Sequence, residues 1–487
     1  MALATRNVLP AFAVLVLLNK FTLIASEPGT IQLTPAITLK GEACCSTGDS
    51  NGYVYYGIRY ATARRFEHSM ANENYSYLRN TTRPKRGPVC PQTSPEADGN
   101  VVSEDCLYLD VYVPPINPRE RPKFPVLMFI YGGGLQEGSK DTYSPSSLVA
   151  YINAIVVFID YRVGAFGFLS TGDATASGNY GLGDCKVAVK WIQKHIGKFG
   201  GDPAALTVFG ESAGAALTSA LIVGRDQSIR NSLRAVALLS GSITTDILYD
   251  REPKETAMGV AQKAGCPTES SAVMIGCLKQ LPVEDLLRYS PQISDRPTMP
   301  FGFAVDGEHI PDIPIRALKA AAALSAPAPH ILTGYLREDS SYLLQSVEPD
   351  LVDPSKPLTV DQLRDVVGKR YLPLKDGGLA NCSSLDTTVV TRILQQYNIT
   401  DSNNRDDTLW KFFHLATDAQ FGHQAVQEAL LYASSAGTSQ VYRVDYNPGM
   451  GMGAFHTMDI LHMFSPIPQV NLTFDEQHLR SFREMLR

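Results

Sequence analysis

Short apolar runs, rich in β-branched and aromatic residues, recur along the chain with helical stretches between them. Runs that are apolar throughout are typical of parallel strands buried on both faces. The predicted strands cover residues 126–130, 155–159, 206–209, 235–239, 331–333 and 441–446. The pattern therefore predicts an α/β fold with a mostly parallel, twisted central sheet and helices on both faces.

One long helix is predicted between the second and third of these strands. Its apolar positions follow the helical period, and they are Leu182, Cys185, Val189, Ile192, Ile196 and Phe199. Gly200 and Gly201 predict its end. From about Gly265 to Ala380 the pattern loosens into short helices and Pro- and Gly-rich connections, which predicts a cap-like region beside the sheet.

Composition supports a large buried core, because 44% of the 487 residues are hydrophobic and 19% are charged. The formal net charge is −6, and both signs are interspersed along the chain. Without a basic stripe, nucleic acids and anionic membrane surfaces are not expected partners.

The N-terminus has the pattern of a secretory signal peptide over residues 1–26. Arg6 precedes an apolar run at 8–18, which is too short to span a bilayer, and the small residues Ala25 and Ser26 follow. No later stretch is long and apolar enough for a membrane helix, and no linker or repeat divides residues 27–487, so one secreted domain is expected. N-glycosylation sequons begin at Asn74, Asn80, Asn381, Asn398 and Asn471.

Residues 210–214 read Gly-Glu-Ser-Ala-Gly between a predicted strand and a helix of small residues at 215–223. A serine on a tight strand-to-helix turn needs glycines two positions away on either side, because a Cβ there would meet the neighbouring strand or helix. This context is typical of the nucleophile elbow of α/β-hydrolases. It predicts Ser212 as a nucleophile.

The strand at 126–130 leads into Tyr131 and three consecutive glycines, Gly132, Gly133 and Gly134. Such glycines free backbone N–H groups to form an oxyanion hole. A dinucleotide-binding loop would need a helix directly after the glycines, whereas residues 136–145 have the composition of a loop. Ordinary turn glycines are the third interpretation.

The base should follow the nucleophile in α/β-hydrolase chain order. The candidates are His414, His423, His456, His462 and His478. His456 is favoured because it follows the last predicted strand through a flexible run at 447–453, whereas His462 falls in a predicted helix and is assigned to packing or to the surface.

The acid is expected after the strand at 331–333, where Gly334 leads to Glu338 and Asp339. Both carboxylates have a suitable position. Their physical properties alone leave the choice between them open.

Several segments together resemble the type-B carboxylesterases, the carboxylesterase and cholinesterase family of α/β-hydrolases. The matching stretches are 56–58, 65–66, 104–109, 161–169, 178–182, 199–203 and 306–307, with Pro311, Asp418 and Phe421. The resemblance covers roughly residues 50–487. The family usually continues further, so the chain is expected to be truncated at its C-terminus, which leaves an anchor beyond Arg487 open.

The resemblance implies a triad of Ser212, Asp339 and His456. It implies oxyanion donors at Gly133, Gly134 and Ala213. It also implies disulfides from Cys90 to Cys106 and from Cys266 to Cys277, and it assigns no partner to Cys44, Cys45, Cys185 and Cys382.

The chain departs from the family pattern at five positions, one of which is Ser340, where the family has Gly. Tyr131 stands where the family commonly has His, Arg59 where it favours Pro, Cys185 where it favours Gln, and Asp339 where Glu is commoner. Because Asp is shorter than Glu, an acid at residue 339 must lie closer to the imidazole.

The expected function is hydrolysis of carboxylic esters by a secreted serine hydrolase through an acyl-enzyme, with a small-molecule ester as its partner. Neither a metal nor an organic cofactor is expected. The segment between Cys90 and Cys106 contains no aromatic residue to hold a quaternary ammonium, which favours neutral over choline esters. The alternatives are a catalytically silent adhesion or binding ectodomain of the same family, and a peptidase or lipase on the same fold. The oligomeric state stays open.

Overall fold

The computed structural model describes residues 29–47, 50–78, 86–93, 101–115, 123–290, 299–324, 328–371, 387–400, 404–433, 438–446 and 452–464. The predicted signal peptide lies outside these ranges. So do Cys382, His478 and the sequons at Asn80, Asn381 and Asn471.

The centre of the described structure is a nine-stranded sheet. Its strands are β1 (Glu42–Thr47), β2 (Ser50–Arg59), β3 (Tyr108–Val113), β4 (Phe124–Ile130), β5 (Ile155–Ile159), β6 (Gly201–Glu211), β7 (Ala235–Leu239), β8 (His330–Leu336) and β9 (Ser439–Val444). Their order across the sheet is β9-β8-β7-β6-β4-β5-β3-β2-β1. Two short hairpins lie outside it, Thr30–Thr34 with Ile37–Lys40 and Ala61–Thr62 with Met70–Ala71.

The six predicted strands are β4 to β9, and they pair in parallel with one another. The prediction of a mostly parallel sheet between helices is thus confirmed. The last strand begins and ends two residues earlier than predicted. Strands β1 to β3 form an antiparallel edge that was not predicted, because β1 and β2 mix polar, glycine and tyrosine residues instead of forming an apolar run.

Helices connect the strands and cover the sheet. Those of the described residues are α1 (Ser146–Ile152), α2 (Gly164–Phe168), α3 (Tyr180–His195), α4 (Ala213–Val223), α5 (Gln227–Ser232), α6 (Pro253–Lys263), α7 (Ser271–Leu278), α8 (Val283–Tyr289), α9 (Pro314–Ala322), α10 (Ser340–Val347), α11 (Pro349–Val352), α12 (Val360–Val366), α13 (Thr387–Gln396), α14 (Arg405–Thr417), α15 (His423–Ala433) and α16 (Met458–Met463). Among these described helices, we find none with the length and apolarity that crossing a bilayer requires.

The predicted long helix is α3, continued by a 3-10 turn at Ile196–Phe199. It ends at Gly200, whose φ of 86° is left-handed, as at many helix C-termini. The predicted cap-like region divides between two cores. Helices α6 to α8 pack into the main core around the sheet, whereas α10 to α14 enclose a second cluster that includes Leu363, Val390 and Phe412.

Disulfides join Cys90 to Cys106 and Cys266 to Cys277, the pairing that the family resemblance implies. A further disulfide joins the neighbouring residues Cys44 and Cys45 in β1. Cys185 is a free thiol buried in α3, where burial raises its pKa well above the ordinary value. Its apolar surroundings suit a packing role.

A buried cationic side chain, Lys140, links the loop after β4 to two strands. Its Nζ lies 3.4 Å from a carboxylate oxygen of Asp110 in β3, 3.5 Å from Asp160 after β5 and 2.9 Å from Asp141. Burial alone would lower the pKa of Lys140, but the carboxylates outweigh it and raise that pKa. The ammonium therefore compensates carboxylates that are almost fully buried.

We expect Lys140→Met to lower the free energy of unfolding by about 3–5 kcal/mol, because it leaves Asp110 and Asp160 without their buried counter-charge. Lys190→Met is the matched control, since Lys190 pairs with Asp226 at the surface and should contribute only about 0–1 kcal/mol. Denaturant titration of both variants measures the difference. Equal losses in the two variants would contradict a special role for the buried cluster.

Candidate active site

Ser212 occupies a strained turn between β6 and α4. Its φ of 57° and ψ of −126° are unusual for a residue other than glycine, and its backbone N–H donates to the carbonyl of Leu239 at 2.8 Å. Strain of this kind persists where the surrounding structure fixes it, and it clusters at functional sites. The side chain is half-buried at the start of a helix that is otherwise fully buried.

The glycines of the turn permit its close packing. A Cβ on Gly210 would lie 2.2 Å from the carbonyl oxygen of Gly214, and a Cβ on Gly214 would lie 2.0 Å from that of Ile130 in β4. Neither distance is possible for a real side chain. The spacing of glycines around Ser212 is therefore a steric requirement of this turn.

The glycine loop after β4 lies directly against Ser212. A Cβ on Gly132 would be 2.8 Å from the Cβ of Ser212, and Gly133 has a φ of 97° that favours glycine. Among the described residues, the N–H groups of Gly133 and Gly134 donate to no backbone carbonyl. Ala213 is the first residue of α4, so its N–H lacks an acceptor within the helix. These three N–H groups are suited to stabilising an oxyanion.

No α-helix follows the glycines directly, since α1 begins only at Ser146 after a short 3-10 turn at Lys140–Thr142. That geometry disfavours the dinucleotide-loop interpretation. Tyr131, which departs from the family pattern, anchors the loop. Its hydroxyl donates to the carbonyl of Tyr161 at 3.1 Å, the Tyr161 hydroxyl donates back to the carbonyl of Tyr131 at 2.8 Å, and the two rings stack.

The Asp339 carboxylate is fully buried at the junction of β8 and α10. One oxygen lies 2.6 Å from Nδ1 of His456. The other accepts from the Ser240 hydroxyl at 2.6 Å and from the backbone N–H of Leu336 at 2.9 Å. Both oxygens are thus bonded, which satisfies the carboxylate and fixes the orientation of the oxygen that faces His456.

Glu338, the other candidate acid, points elsewhere. Its carboxylate accepts from the backbone N–H of Ala454 at 2.8 Å and lies 3.0 Å from Nε2 of His414. Its own N–H donates to the carbonyl of Ala454 at 3.1 Å. Glu338 therefore fastens the loop that carries His456 without contacting the imidazole, and the geometry favours Asp339 as the acid.

The His456 imidazole lies between two carboxylates. Nδ1 faces Asp339, while Nε2 lies 3.4 Å from a carboxylate oxygen of Glu211, the residue before Ser212. Within the described chain, Nε2 has no hydrogen-bond partner. This nitrogen therefore makes no hydrogen bond to the Ser212 hydroxyl in the structure, and it can accept a proton only when the imidazole is neutral.

Burial and the neighbouring charges shift the pKa of His456 in opposite directions. Burial lowers the pKa of His456, but Glu211 and Asp339 outweigh burial and raise it to about 9. Burial in turn raises the pKa of Glu211 to about 8, although His456 opposes that rise. Burial also raises the pKa of Asp459, in α16, to about 6.

The other histidines have separate surroundings. His462 is buried in α16, where Nδ1 lies 2.5 Å from the carbonyl of Met458, in keeping with packing. His414 contacts Glu338, and His423 is exposed at the start of α15.

Three residues of the site were missed by sequence reasoning, namely Glu211, Ser240 and Phe421. Glu211 fills the variable position of the Gly-x-Ser-x-Gly motif. Ser240 directly follows β7, and residues after adjacent parallel strands meet at one edge, so its position could have been noticed. Phe421 belongs to the segment that resembles the family, but nothing in the sequence indicates that its ring stacks on His456, with ring centroids 4.9 Å apart.

A cavity of about 690 Å³ opens among α10, α11 and α14, lined in part by Gln345, Trp410 and Phe413. Neither Ser212 nor His456 lines it, so its volume is not evidence for the chemistry at the elbow. Among the described residues, no three His, Cys, Asp or Glu side chains form a group that could hold a metal ion.

A family model described as "Carboxylesterase family" matches residues 30–486. Carboxylesterase 1D of Rattus norvegicus is 28% identical over 447 residues, which cover 84% of this chain and 75% of that protein.

Other relatives match over shorter stretches. Liver carboxylesterase 1 of Oryctolagus cuniculus is 36% identical over 253 residues, covering 48% of this chain and 44% of that protein. Neuroligin-2 of Homo sapiens is 35% identical over 302 residues, covering 53% of this chain and 35% of that protein.

If His456 accepts the Ser212 proton, the reaction of Ser212 with a fluorophosphonate should become faster as pH rises, because only the neutral imidazole is a base. The raised pKa of His456 puts the midpoint above that of an ordinary histidine. Glu211→Gln removes a carboxylate that stabilises the imidazolium, so the midpoint should move to lower pH. The pH dependence of the labelling rate measures this, with exposed Glu269→Gln as the control. An unchanged midpoint in Glu211→Gln would contradict the coupling.

Proposed function

This chain belongs to the carboxylesterase family, and we propose that it is a secreted serine hydrolase that cleaves carboxylic esters through an acyl-enzyme intermediate. The observation that carries the proposal is the buried contact between Asp339 and His456 at 2.6 Å, beside a strained Ser212. A nucleophile, a base and an orienting acid are the groups that acyl transfer requires.

In the proposed first step, Nε2 of His456 accepts the proton of the Ser212 hydroxyl while Oγ attacks the ester carbonyl. The N–H groups of Gly133, Gly134 and Ala213 stabilise the tetrahedral oxyanion. The imidazolium then donates its proton to the alcohol oxygen as the ester C–O bond breaks. The alcohol departs, and the acyl group remains on Ser212. Water attacks this intermediate by the same route, with His456 as the base, and releases the acid.

Asp339 has an orienting role in this scheme. Its hydrogen bond to Nδ1 keeps the proton on that nitrogen, so the lone pair of Nε2 faces the elbow. Because Ser240 and Leu336 hold the second carboxylate oxygen, Asp339 cannot turn away from His456 without losing both bonds.

Neutral esters are the proposed substrate class. The thioether of Met299 lies against Gly134, so the oxyanion loop has an apolar neighbour. Trp191 is buried, with its Nε1 donating to Tyr75, and Trp410 packs on Phe413 at the edge of the second core. Neither tryptophan has the position of an aromatic cage for a quaternary ammonium beside the elbow.

Secretion and glycosylation form part of the same proposal. The two sequon asparagines that the structure describes, Asn74 and Asn398, are both exposed. The Oδ1 of Asn74 accepts from the N–H of Ser76, so the sequon lies in a local turn at the surface. These positions are accessible for a glycan.

A non-catalytic adhesion or binding role is the second candidate function. The likeness to neuroligin-2 over 53% of the chain is the observation in its favour. A chain that served binding alone would have no need for a serine, imidazole and carboxylate arranged for acyl transfer.

We expect Ser212→Ala to lower kcat for a chromogenic ester by on the order of 10⁴-fold or more, because it removes the attacking atom. Ser144→Ala is the matched control, since Ser144 is an exposed serine in a nearby loop. Thermal unfolding checks that both variants fold. Wild-type turnover in Ser212→Ala would exclude Ser212 as the nucleophile, and an inactive wild type that fluorophosphonate does not label would favour the adhesion role.

We also expect kcat/KM to be higher for a neutral ester than for a choline ester of equal acyl length. The physical reason is that neither tryptophan lies beside the elbow and that the segment between Cys90 and Cys106 has no aromatic residue to hold the quaternary ammonium. Steady-state kinetics with the two substrates at one pH gives the ratio. A preference for the choline ester would overturn the proposed substrate class while leaving the nucleophile unaffected.

A further inference from the structure

The imidazole of His456 has one face covered by the ring of Phe421. The ring centroids are 4.9 Å apart and the ring planes meet at 28°. Both residues are buried, with 5% of Phe421 and 3% of His456 exposed. The contact is therefore a nearly parallel stack inside the protein, shielded from water.

Phe421 lies in an unusual helical segment. Helix α14 ends at Thr417, a π-helical turn covers Asp418–Gly422, and α15 begins at His423. A π-turn inserts an extra residue into a helix and redirects the side chains around it, and such turns occur often at functional sites. Without the insertion, the residues of this helix would face different directions.

Two hydrogen bonds fix this turn relative to the acid. The N–H of Ser340, the residue after Asp339, donates to Oγ1 of Thr417 at 3.0 Å. The Ser340 hydroxyl donates to Oε1 of Gln420 at 2.6 Å. The ring of Phe421 is consequently held in a set position with respect to Asp339 as well as to His456.

We propose that Phe421 is a positioning residue for His456, whose ring face holds the imidazole in the plane that joins Asp339 to the elbow and favours the imidazolium form. This inference rests on the proposed ester hydrolysis and deepens it. An aromatic face close to a cation attracts it through the ring quadrupole, most strongly where water is excluded.

The charged groups that face His456 come from other elements. They are Glu211 at the end of β6, Asp339 before α10 and Asp459 in α16. From the segment α14–α15 the uncharged ring of Phe421 covers the imidazole, while Asp418 of the same turn accepts from the hydroxyl of Tyr397. Replacement of Phe421 thus leaves every charge around His456 in place.

The test compares Phe421→Leu, which keeps apolar bulk but removes the ring face, with Phe421→Tyr, which keeps the ring. Phe413→Leu is the matched control, because Phe413 is equally buried in α14 but packs in the second core. For each variant, kcat, KM and the pH dependence of kcat are measured with a neutral ester. The pKa of His456 is also measured directly, by NMR of ¹³C-labelled histidine, with His456→Gln to assign the signal.

We expect Phe421→Leu to lower kcat about 10-fold with KM changed less than about twofold, because a displaced base mainly affects the chemical step. The NMR midpoint of His456 should fall by about half to one pH unit, since the imidazolium loses its aromatic neighbour. Phe421→Tyr should keep both kcat and the NMR midpoint close to the wild-type values. Phe413→Leu should leave the midpoint unchanged.

A Phe421→Leu variant with the wild-type NMR midpoint would overturn the proposal, and so would an equal loss of kcat in Phe413→Leu. An inactive wild-type protein would instead contradict the proposed ester hydrolysis. In that case the NMR midpoints of the wild type and Phe421→Leu would still decide whether the ring stabilises the imidazolium.

Discussion

The site depends on one constraint, the parallel register of five neighbouring strands. Because parallel strands end at the same edge of a sheet, whatever follows each of them is brought together. Strand β4 leads to Gly133, β6 to Ser212, β7 to Ser240, β8 to Asp339 and β9 to the loop of His456. The nucleophile, the base and the acid are thus brought together from segments that are far apart in sequence.

At that edge of the sheet, buried carboxylates surround one imidazole. His456 faces Asp339 through one nitrogen and Glu211 through the other, with all three side chains nearly excluded from water. Burying charged groups is costly unless each is paired or bonded. Asp339 satisfies this rule through Ser240 and Leu336, whereas Glu211 retains an unbonded oxygen that faces His456. Among the described residues, this carboxylate oxygen beside the candidate nucleophile thus has the imidazole as its electrostatic partner but no hydrogen bond.

The departures from the family pattern are accommodated locally. Tyr131 exchanges hydrogen bonds with Tyr161 and stacks on it, and these contacts hold the start of the glycine loop. Asp339 is shorter than the commoner Glu, yet its carboxylate lies 2.6 Å from Nδ1 of His456, in a turn where its N–H donates to the carbonyl of Leu336 at 3.2 Å. The adjacent Glu338 holds the histidine loop through Ala454. The two adjacent carboxylates thus have different roles: Asp339 orients His456, and Glu338 holds the loop that carries it.

The sequence by itself determined the parallel strands and the elbow. Apolar runs predict buried parallel strands wherever both faces are covered, and the glycines around Ser212 are a local steric requirement that a short motif records. It left Glu338 and Asp339 undecided, and it missed the antiparallel edge β1–β3, in which β1 and β2 are partly exposed and mixed in polarity and the buried strand β3 contains Asp110. Only the tertiary structure decided which carboxylate faces His456, that Glu211 approaches Nε2 and that Phe421 covers the ring. These contacts join residues separated by tens to hundreds of positions, and their geometry depends on strand register and on a π-turn, neither of which leaves a periodic signal in the sequence.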